Sequence, residues 1–109
     1  VGSQFKAVGK YAQALGVFKK ALELDQNNLI VSNDLASTYV LLGKYKDAVA
    51  LFKKALEIKP DFALVYNNLA VAYYYLKQYD LAVKNCDKAI VLGYSVEPKF
   101  IDLLKSHKK

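Results

Sequence analysis

This chain of 109 residues contains no arginine, no methionine, one cysteine and one histidine. Without arginine it cannot make the bidentate guanidinium contacts that read guanine or grip phosphate. The single cysteine, Cys86, cannot form an internal disulfide and has no second thiol with which to share a metal ion. Because methionine is missing even at position 1, we expect the sequence to be part of a longer protein.

Residue patterns for catalysis are scarce as well. His107 lies in a lysine-rich terminus, and no serine elbow, phosphate-binding glycine loop or paired metal-ligand spacing occurs in the sequence. The sequence therefore predicts no enzymatic activity, no cofactor and no metal site.

The formal net charge of +6 raises the question of an acidic partner. The sequence has no run of five lysines, and the pairs Lys19–Lys20 and Lys53–Lys54 recur on segments that we expect to face solvent. These features disfavour nucleic acid as a partner, although a weak preference for acidic surfaces remains open. Apolar runs are far shorter than the roughly 20 residues of a membrane span, so we expect no membrane insertion. The unpaired cysteine only weakly favours the cytoplasm as the location of the protein.

The strongest signal is a spacing of 34 residues at which three stretches of the chain match. Tyrosine recurs at Tyr11, Tyr45 and Tyr79. Alanine recurs at two positions of the repeat, as Ala14, Ala48 and Ala82 and as Ala21, Ala55 and Ala89. Glycine matches at Gly9 and Gly43, and phenylalanine at Phe18 and Phe52. Cys86 takes the phenylalanine position in the third copy. A fixed period of this length indicates a solenoid, in which each unit buries its apolar face against the next.

Helix start and stop residues recur at the same spacing. Asn27, Asp61 and Ser95 are types that cap helix N-termini, so we expect each to precede a new helix. Gly9 and Gly43 stand midway between these caps, where a helix ends in a left-handed residue and the chain reverses.

These signals predict an all-α fold built from pairs of helices. The expected pairs are 28–42 with 45–58 and 62–76 with 79–92. Lys77 takes the left-handed position in the third copy, and Pro60 prevents its helix from continuing. Small residues such as Ala48 and Ala82 are expected where helices approach most closely, and Cys86 is expected to be a small core residue.

The residues of the second unit resemble the tetratricopeptide repeat. They are Leu35, Ala36, Tyr39, Gly43, Tyr45, Ala48, Phe52, Ala55 and Pro60. The third unit is similar through Tyr66, Leu69, Ala70, Tyr73, Tyr79, Ala82 and Ala89, and departs at Lys77, Cys86 and Tyr94. The resemblance covers residues 1–96, and the remainder looks like the helix that closes such arrays. In that helix Phe100, Ile101, Leu103 and Leu104 are expected inward, and Lys105, His107, Lys108 and Lys109 outward.

The resemblance implies a right-handed α–α superhelix of antiparallel helix pairs with a C-terminal capping helix. It divides the chain into a shortened repeat at 1–28, repeats at 29–62 and 63–96, and a capping helix at 97–109. Its first helices would line a concave groove that holds an extended or helical peptide of a partner. The family's groove positions correspond to Ile30, Asn33, Ser37, Val40, Leu41, Leu64, Asn67, Asn68, Val71, Tyr74 and Tyr75.

Two residue types in this groove suit peptide binding. Asn33 and Asn67 can each donate and accept hydrogen bonds, as a peptide backbone requires. Tyr74 and Tyr75 offer rigid area with a polar tip, although one of them could instead fill the core between repeats.

Some members of the family clamp the acidic C-terminus of a chaperone with lysine, asparagine and arginine side chains. The matching positions here hold Ser3, Asp34, Leu64 and Asn68, of which only Asn68 keeps the family's residue type. We therefore expect a scaffold or adaptor that binds an apolar or neutral peptide, and no carboxylate clamp.

A different function is also open. If the first helix of the first unit is shortened, apolar side chains at Phe5, Tyr11, Leu15 and Phe18 lose part of their cover. An exposed patch of that kind tends to be buried by another subunit, so the alternative is a self-association module that forms a homo-oligomer.

Overall fold

The computed structural model describes residues 2–107, with side chains from residue 9 onward. Six α-helices occur in residues 2–107, in the order α1 (Gly2–Leu24), α2 (Leu29–Leu41), α3 (Tyr45–Ile58), α4 (Ala63–Tyr75), α5 (Tyr79–Val91) and α6 (Pro98–His107). The predicted all-α architecture of antiparallel helix pairs with a sixth C-terminal helix is confirmed. The division into repeats stays a prediction.

The two helix pairs form because each first helix ends in a tight turn. Gly43 has φ 78°, and the next amide, that of Lys44, donates to the Tyr39 carbonyl at 2.8 Å. Lys77 repeats this geometry with φ 62°, as predicted for the left-handed position. Each turn reverses the chain, so that α2 packs on α3 and α4 packs on α5.

Alanines occupy the places where these helices meet. Seven alanines are fully buried, namely Ala36, Ala48, Ala55, Ala70, Ala72, Ala82 and Ala89. Phe52 is also fully buried, and Cys86, which replaces it in the third copy, is 3% exposed. The small side chains permit close approach of the helices, and the ring of Phe52 fills space in the core between them.

The predicted capping residues are wrong by at least one position. Asn28, and not Asn27, caps α2 by accepting a hydrogen bond from the Val31 amide at 3.0 Å. Asp61 lies in the turn after Pro60, and α4 begins after Phe62, which makes no side-chain cap bond. Ser95 also precedes its helix by too much, because α6 begins only at Pro98. The periodic residues mark the turn that precedes each helix instead of its cap.

The chain reversal predicted at Gly9 does not occur. Gly9 lies inside α1, a continuous helix of 23 residues. Continuing the helix adds one backbone hydrogen bond per residue, which outweighs the roughly 1 kcal/mol that glycine costs in a helix interior. The first unit is therefore one long helix packed on α2.

The capping helix α6 contacts the rest of the molecule through a narrower face than predicted. Leu104 is 3% exposed, with Phe100 and Ile101 half-buried, whereas Leu103 is 46% exposed. His107 is exposed, as predicted, and its ring also stacks on Tyr79, because it follows Phe100 by two helical turns. Lys108 and Lys109 lie outside the described residues.

In the described part of the chain, no helix has both the length and the apolar character that crossing a membrane requires. The lysines of the repeated pairs, Lys19–Lys20 and Lys53–Lys54, are all exposed, as predicted.

Overpacking should damage the close contacts at the buried alanines. We expect Ala48→Leu to lower the free energy of unfolding by about 1–3 kcal/mol, because the added atoms have no room. Ala50→Leu, an exposed position in the same helix, is the matched control and should change it by less than about 0.5 kcal/mol. Urea denaturation measures both, and equal losses in the two variants would contradict the packing described.

The left-handed turn at Lys77 should be improved by glycine. We expect Lys77→Gly to raise the free energy of unfolding by up to about 1 kcal/mol, because glycine removes the Cβ strain at φ 62°. Gln78→Gly is the matched control: its φ is −95°, so glycine there only adds freedom to the unfolded chain and should be destabilising. Thermal unfolding of the two variants tests this, and a loss in both would refute strain at Lys77.

Candidate functional site

The first helices α2 and α4 lie side by side and are joined by a direct hydrogen bond. The Asn68 amide donates to the Asn33 side-chain oxygen at 2.8 Å. Both are predicted groove residues, and each is half-buried. The bond fixes the amide of Asn68 and leaves the other groups of both side chains available.

A pocket of about 210 Å³ opens next to this pair. It is lined by Ser37, Val40, Leu41, Phe52, Asn68 and Val71, and all of these described lining residues are uncharged. Five of them were predicted from the sequence, and Phe52, the sixth, is a fully buried core ring that forms part of the wall. Leu41 is 60% exposed, so the pocket presents an apolar edge to solvent.

Tyr75 extends the same side of α4 with an accessible aromatic face. Its ring stacks on Tyr45 of α3, with centroids 5.1 Å apart and an angle of 13° between the planes. Tyr75 is nevertheless 53% exposed. An aromatic ring that is held in place and still accessible loses little conformational entropy when a partner binds.

Tyr74 has a different role from its neighbour. Its ring makes edge contacts with Tyr79, Phe100 and His107, at centroid distances of 5.7, 5.9 and 5.7 Å. It is half-buried and packs against the core. Of the two tyrosines, Tyr74 is therefore the one that fills space, between α5 and α6, and Tyr75 is the one presented to solvent.

The other predicted groove residues are less closely associated with the pocket. Ile30 is 72% exposed at the start of α2, while Leu64 and Asn67 are half-buried on α4. None of the three is among the residues found to line the pocket. Asp34, at a carboxylate-clamp position, is half-buried, and the Ser3 side chain lies outside the described residues.

Two residues of this region were missed by reasoning from the sequence. Tyr45 and Phe52 both match the repeat pattern, which predicts only a structural role for them, yet Tyr45 supports Tyr75 and Phe52 lines the pocket. A residue required for the packing of the repeat can thus also contribute to the groove. The 34-residue period by itself does not predict this second role.

Cys86 lies apart from this region, in the core beside α6. Burial, and secondarily the charge of Asp87, raise the pKa of its thiol above the ordinary value. The thiolate, which is the reactive form, is therefore disfavoured at neutral pH. Among residues 2–107, no group of three His, Cys, Asp or Glu side chains is placed to hold a metal ion.

Three family models of the tetratricopeptide repeat match the chain, over residues 6–49, 36–77 and 63–92. Each model covers less than half of the chain, and together the three matches extend from residue 6 to residue 92. No curated protein sequence matches.

Solved structures share the fold at low sequence identity. The first tetratricopeptide domain of Spaghetti (RPAP3), bound to the HSP90 peptide SRMEEVD, superposes with a TM-score of 0.81 over 96% of this chain and 82% of that one, at 22% identity. At that identity the likeness concerns the fold alone.

Two MamA structures are also similar. MamA AMB-1 gives a TM-score of 0.74 at 28% identity over 79% of this chain. MamA 41-end from Desulfovibrio magneticus RS-1 gives 0.72 at 26% identity over 81% of it. The matches cover 51% and 50% of those two MamA chains, so this chain spans about half their length.

Proposed function

Since this chain is a tetratricopeptide repeat protein, and so a non-catalytic protein–protein interaction module, we propose that α2 and α4 bind an apolar or neutral segment of a partner protein. The observation that carries the proposal is the uncharged pocket shared by the two helices, with the exposed ring of Tyr75 on the same side of α4. An extended or a helical peptide would lie along both helices, with an apolar side chain in the pocket.

The chemistry of the pocket favours this class of ligand. Leu41 and Val71 supply apolar area, and Ser37 and Asn68 supply hydrogen-bonding groups. Small pockets with a few polar groups among apolar ones orient a ligand while its burial supplies most of the affinity. No charged side chain is among the described lining residues, so a strongly acidic or basic peptide would lose hydration without gaining an ion pair.

A carboxylate clamp is not part of the proposal. Asp34 and Leu64 hold two of the positions that carry clamp side chains in the resemblance, and the Asp34 carboxylate would repel an acidic terminus. Asn68 keeps the family's residue type, but one of its two side-chain amide hydrogens is already donated to Asn33. The peptide SRMEEVD therefore serves as a negative probe for this chain.

A selection from a phage-displayed library of random peptides tests the groove. We expect enriched peptides to be apolar and close to neutral, and their affinity to fall about tenfold or more in Leu41→Asp and in Tyr75→Ala, because anchor contacts dominate such sites. Val17→Asp, which alters an exposed aliphatic residue of α1, is the matched control and should leave the affinity unchanged.

Isothermal titration with the selected peptides and with SRMEEVD measures these affinities. Tyr74 is left unaltered because its contacts with Phe100 and His107 make it a structural residue. Selected peptides that bind Leu41→Asp and Tyr75→Ala as tightly as the unaltered chain would rule out the groove. Binding of SRMEEVD that is lost in Asn68→Ala would instead support a clamp.

Self-association remains the alternative proposal, and one observation favours it. Tyr11, Leu15 and Phe18 are only half-buried although α1 packs on α2, so apolar area remains accessible on α1. The side chain of Phe5 lies outside the described residues.

Light scattering over a concentration series tests self-association without reference to any peptide. If α1 forms an oligomer interface, the mass should rise with concentration in the unaltered chain and stay that of a monomer in Leu15→Lys. A strict monomer at about 1 mM would exclude the alternative, because the free energy of association would then be weaker than about −4 kcal/mol.

A further inference from the structure

A second and larger cleft, of about 690 Å³, lies between α3 and α5. It is lined by Lys53 and Leu56 of α3, by Tyr66, Leu69 and Tyr73 of α4, and by Leu81, Lys84, Asn85, Asp87, Lys88 and Val91 of α5. Most of its surface is apolar carbon, from the leucines, the tyrosine rings and Val91. A cleft of this size between two helices is large enough to receive side chains from a partner.

This cleft is on the side of α4 that faces away from the proposed peptide groove. Successive residues of a helix are rotated by about 100°, so Tyr66, Leu69 and Tyr73 share one face. Asn68 and Val71, which line the other pocket, point to the opposite face. The two depressions are therefore separate surfaces, and one can be occupied without the other.

Comparison of the repeats shows that two apolar residues of α5 in this cleft have charged counterparts in α3. Leu81 is at the position of Asp47, and Val91 is at the position of Glu57, each 34 residues earlier. Leu81 is 40% exposed and Val91 is 78% exposed. Two carboxylates of the preceding repeat are thus replaced by aliphatic side chains that remain in contact with solvent, and repeat stability does not explain such exposure.

The rim of the cleft is positively charged. Lys53, Lys84 and Lys88 are exposed and line it from both helices, and Asp87 is the only acid among its described lining residues. An apolar floor between lysines on two sides complements a segment with apolar residues in the middle and carboxylates at its edges.

We propose that the α3–α5 cleft docks an acidic amphipathic helix of a partner protein. From Leu81 to Val91 the cleft follows about ten residues of α5, or about 15 Å, which is the length of a three-turn helix. Apolar side chains at helical spacing would contact Leu81 and Val91, and glutamates or aspartates beside them would meet the three lysines.

Charge argues against a second copy of this chain as the occupant. The chain carries a formal net charge of +6, so a copy would bring like charge to a cleft that already holds three lysines. The lysines of the cleft would attract an acidic segment, whereas they would repel a second copy of this positively charged chain. The proposal does not depend on the groove of α2 and α4, and its test uses different residues.

A designed 14-residue peptide tests the cleft, with leucines at i, i+3, i+4 and i+7 and glutamates at the flanking positions. Binding is measured by fluorescence anisotropy, and its location by amide shifts in NMR spectra of the labelled chain. We expect binding that weakens as salt is raised, with shifts concentrated in α3 and α5. The same peptide with lysine in place of glutamate should bind at least about tenfold more weakly.

The decisive variant restores the residues of the preceding repeat, Leu81→Asp with Val91→Glu. It should weaken binding of the acidic peptide about tenfold or more, because apolar contact is replaced by like charge. Val17→Asp with Leu24→Glu is the matched control: it makes the same change in net charge at exposed positions of α1, 68% and 83% exposed. The control should bind within about twofold of the unaltered chain. Circular dichroism verifies that both variants keep their helices.

Three results would overturn the proposal. One is equal weakening in the two double variants, which would mean that only net charge matters. Another is equal binding of the lysine peptide, or the absence of shifts in α3 and α5 at about 1 mM acidic peptide. The third is a dimer of the free chain that Leu81→Asp with Val91→Glu dissociates, because the occupant would then be a second copy.

Discussion

Close contact between helices at the buried alanines is the constraint from which the rest of this molecule follows. Ala48 and Ala82 on the second helices, and Ala36 and Ala70 on the first, have no exposed surface. Because a helix can approach its neighbour so closely only where side chains are small, these positions set which face of each helix is buried. The helix faces that stay exposed are the ones available for binding partners.

Helix α4 shows how two surfaces arise from that single constraint. Its residues Leu69, Ala70 and Ala72 are buried where α4 contacts α3 and α5, and residues on either side of them lie on opposite faces. One side carries Asn68 and Val71 beside the uncharged pocket, and the other carries Tyr66 and Tyr73 under the lysine-rimmed cleft. The same helix thus contributes to one uncharged depression and one with a positively charged rim, which would select partners of different composition.

The C-terminal helix is joined to the array by aromatic contacts as well as by the buried side chain of Leu104. His107 stacks on Tyr79 at a centroid distance of 3.9 Å, and Tyr74 meets both rings edge-on. A partner that used Tyr74 would have to compete with α6 for it. Tyr75 stacks on Tyr45 and meets Tyr74 edge-on, but its ring contacts no described aromatic ring of α6, which explains how adjacent tyrosines come to have different roles.

The sequence by itself determined the period, the all-α class, the second helix of each pair and the left-handed turns at Gly43 and Lys77. These features depend on side-chain size and backbone conformation at single positions, and such properties are local. It placed the caps at Asn27 and Asp61 one residue too early and predicted a turn at Gly9, because capping depends on how neighbouring helices set the path of the chain. It also identified five of the six residues that line the small pocket, through the resemblance.

Only the tertiary structure decided which members of the groove come together. The bond between Asn33 and Asn68 joins residues 35 positions apart, and the division of roles between Tyr74 and Tyr75 depends on where α6 lies. The α3–α5 cleft likewise exists only because two helices from different repeats face each other across α4. The repeat period reflects the residues that each unit requires for its own packing. A surface shared by two units also depends on how the units are oriented relative to each other, and no single repeat determines that orientation.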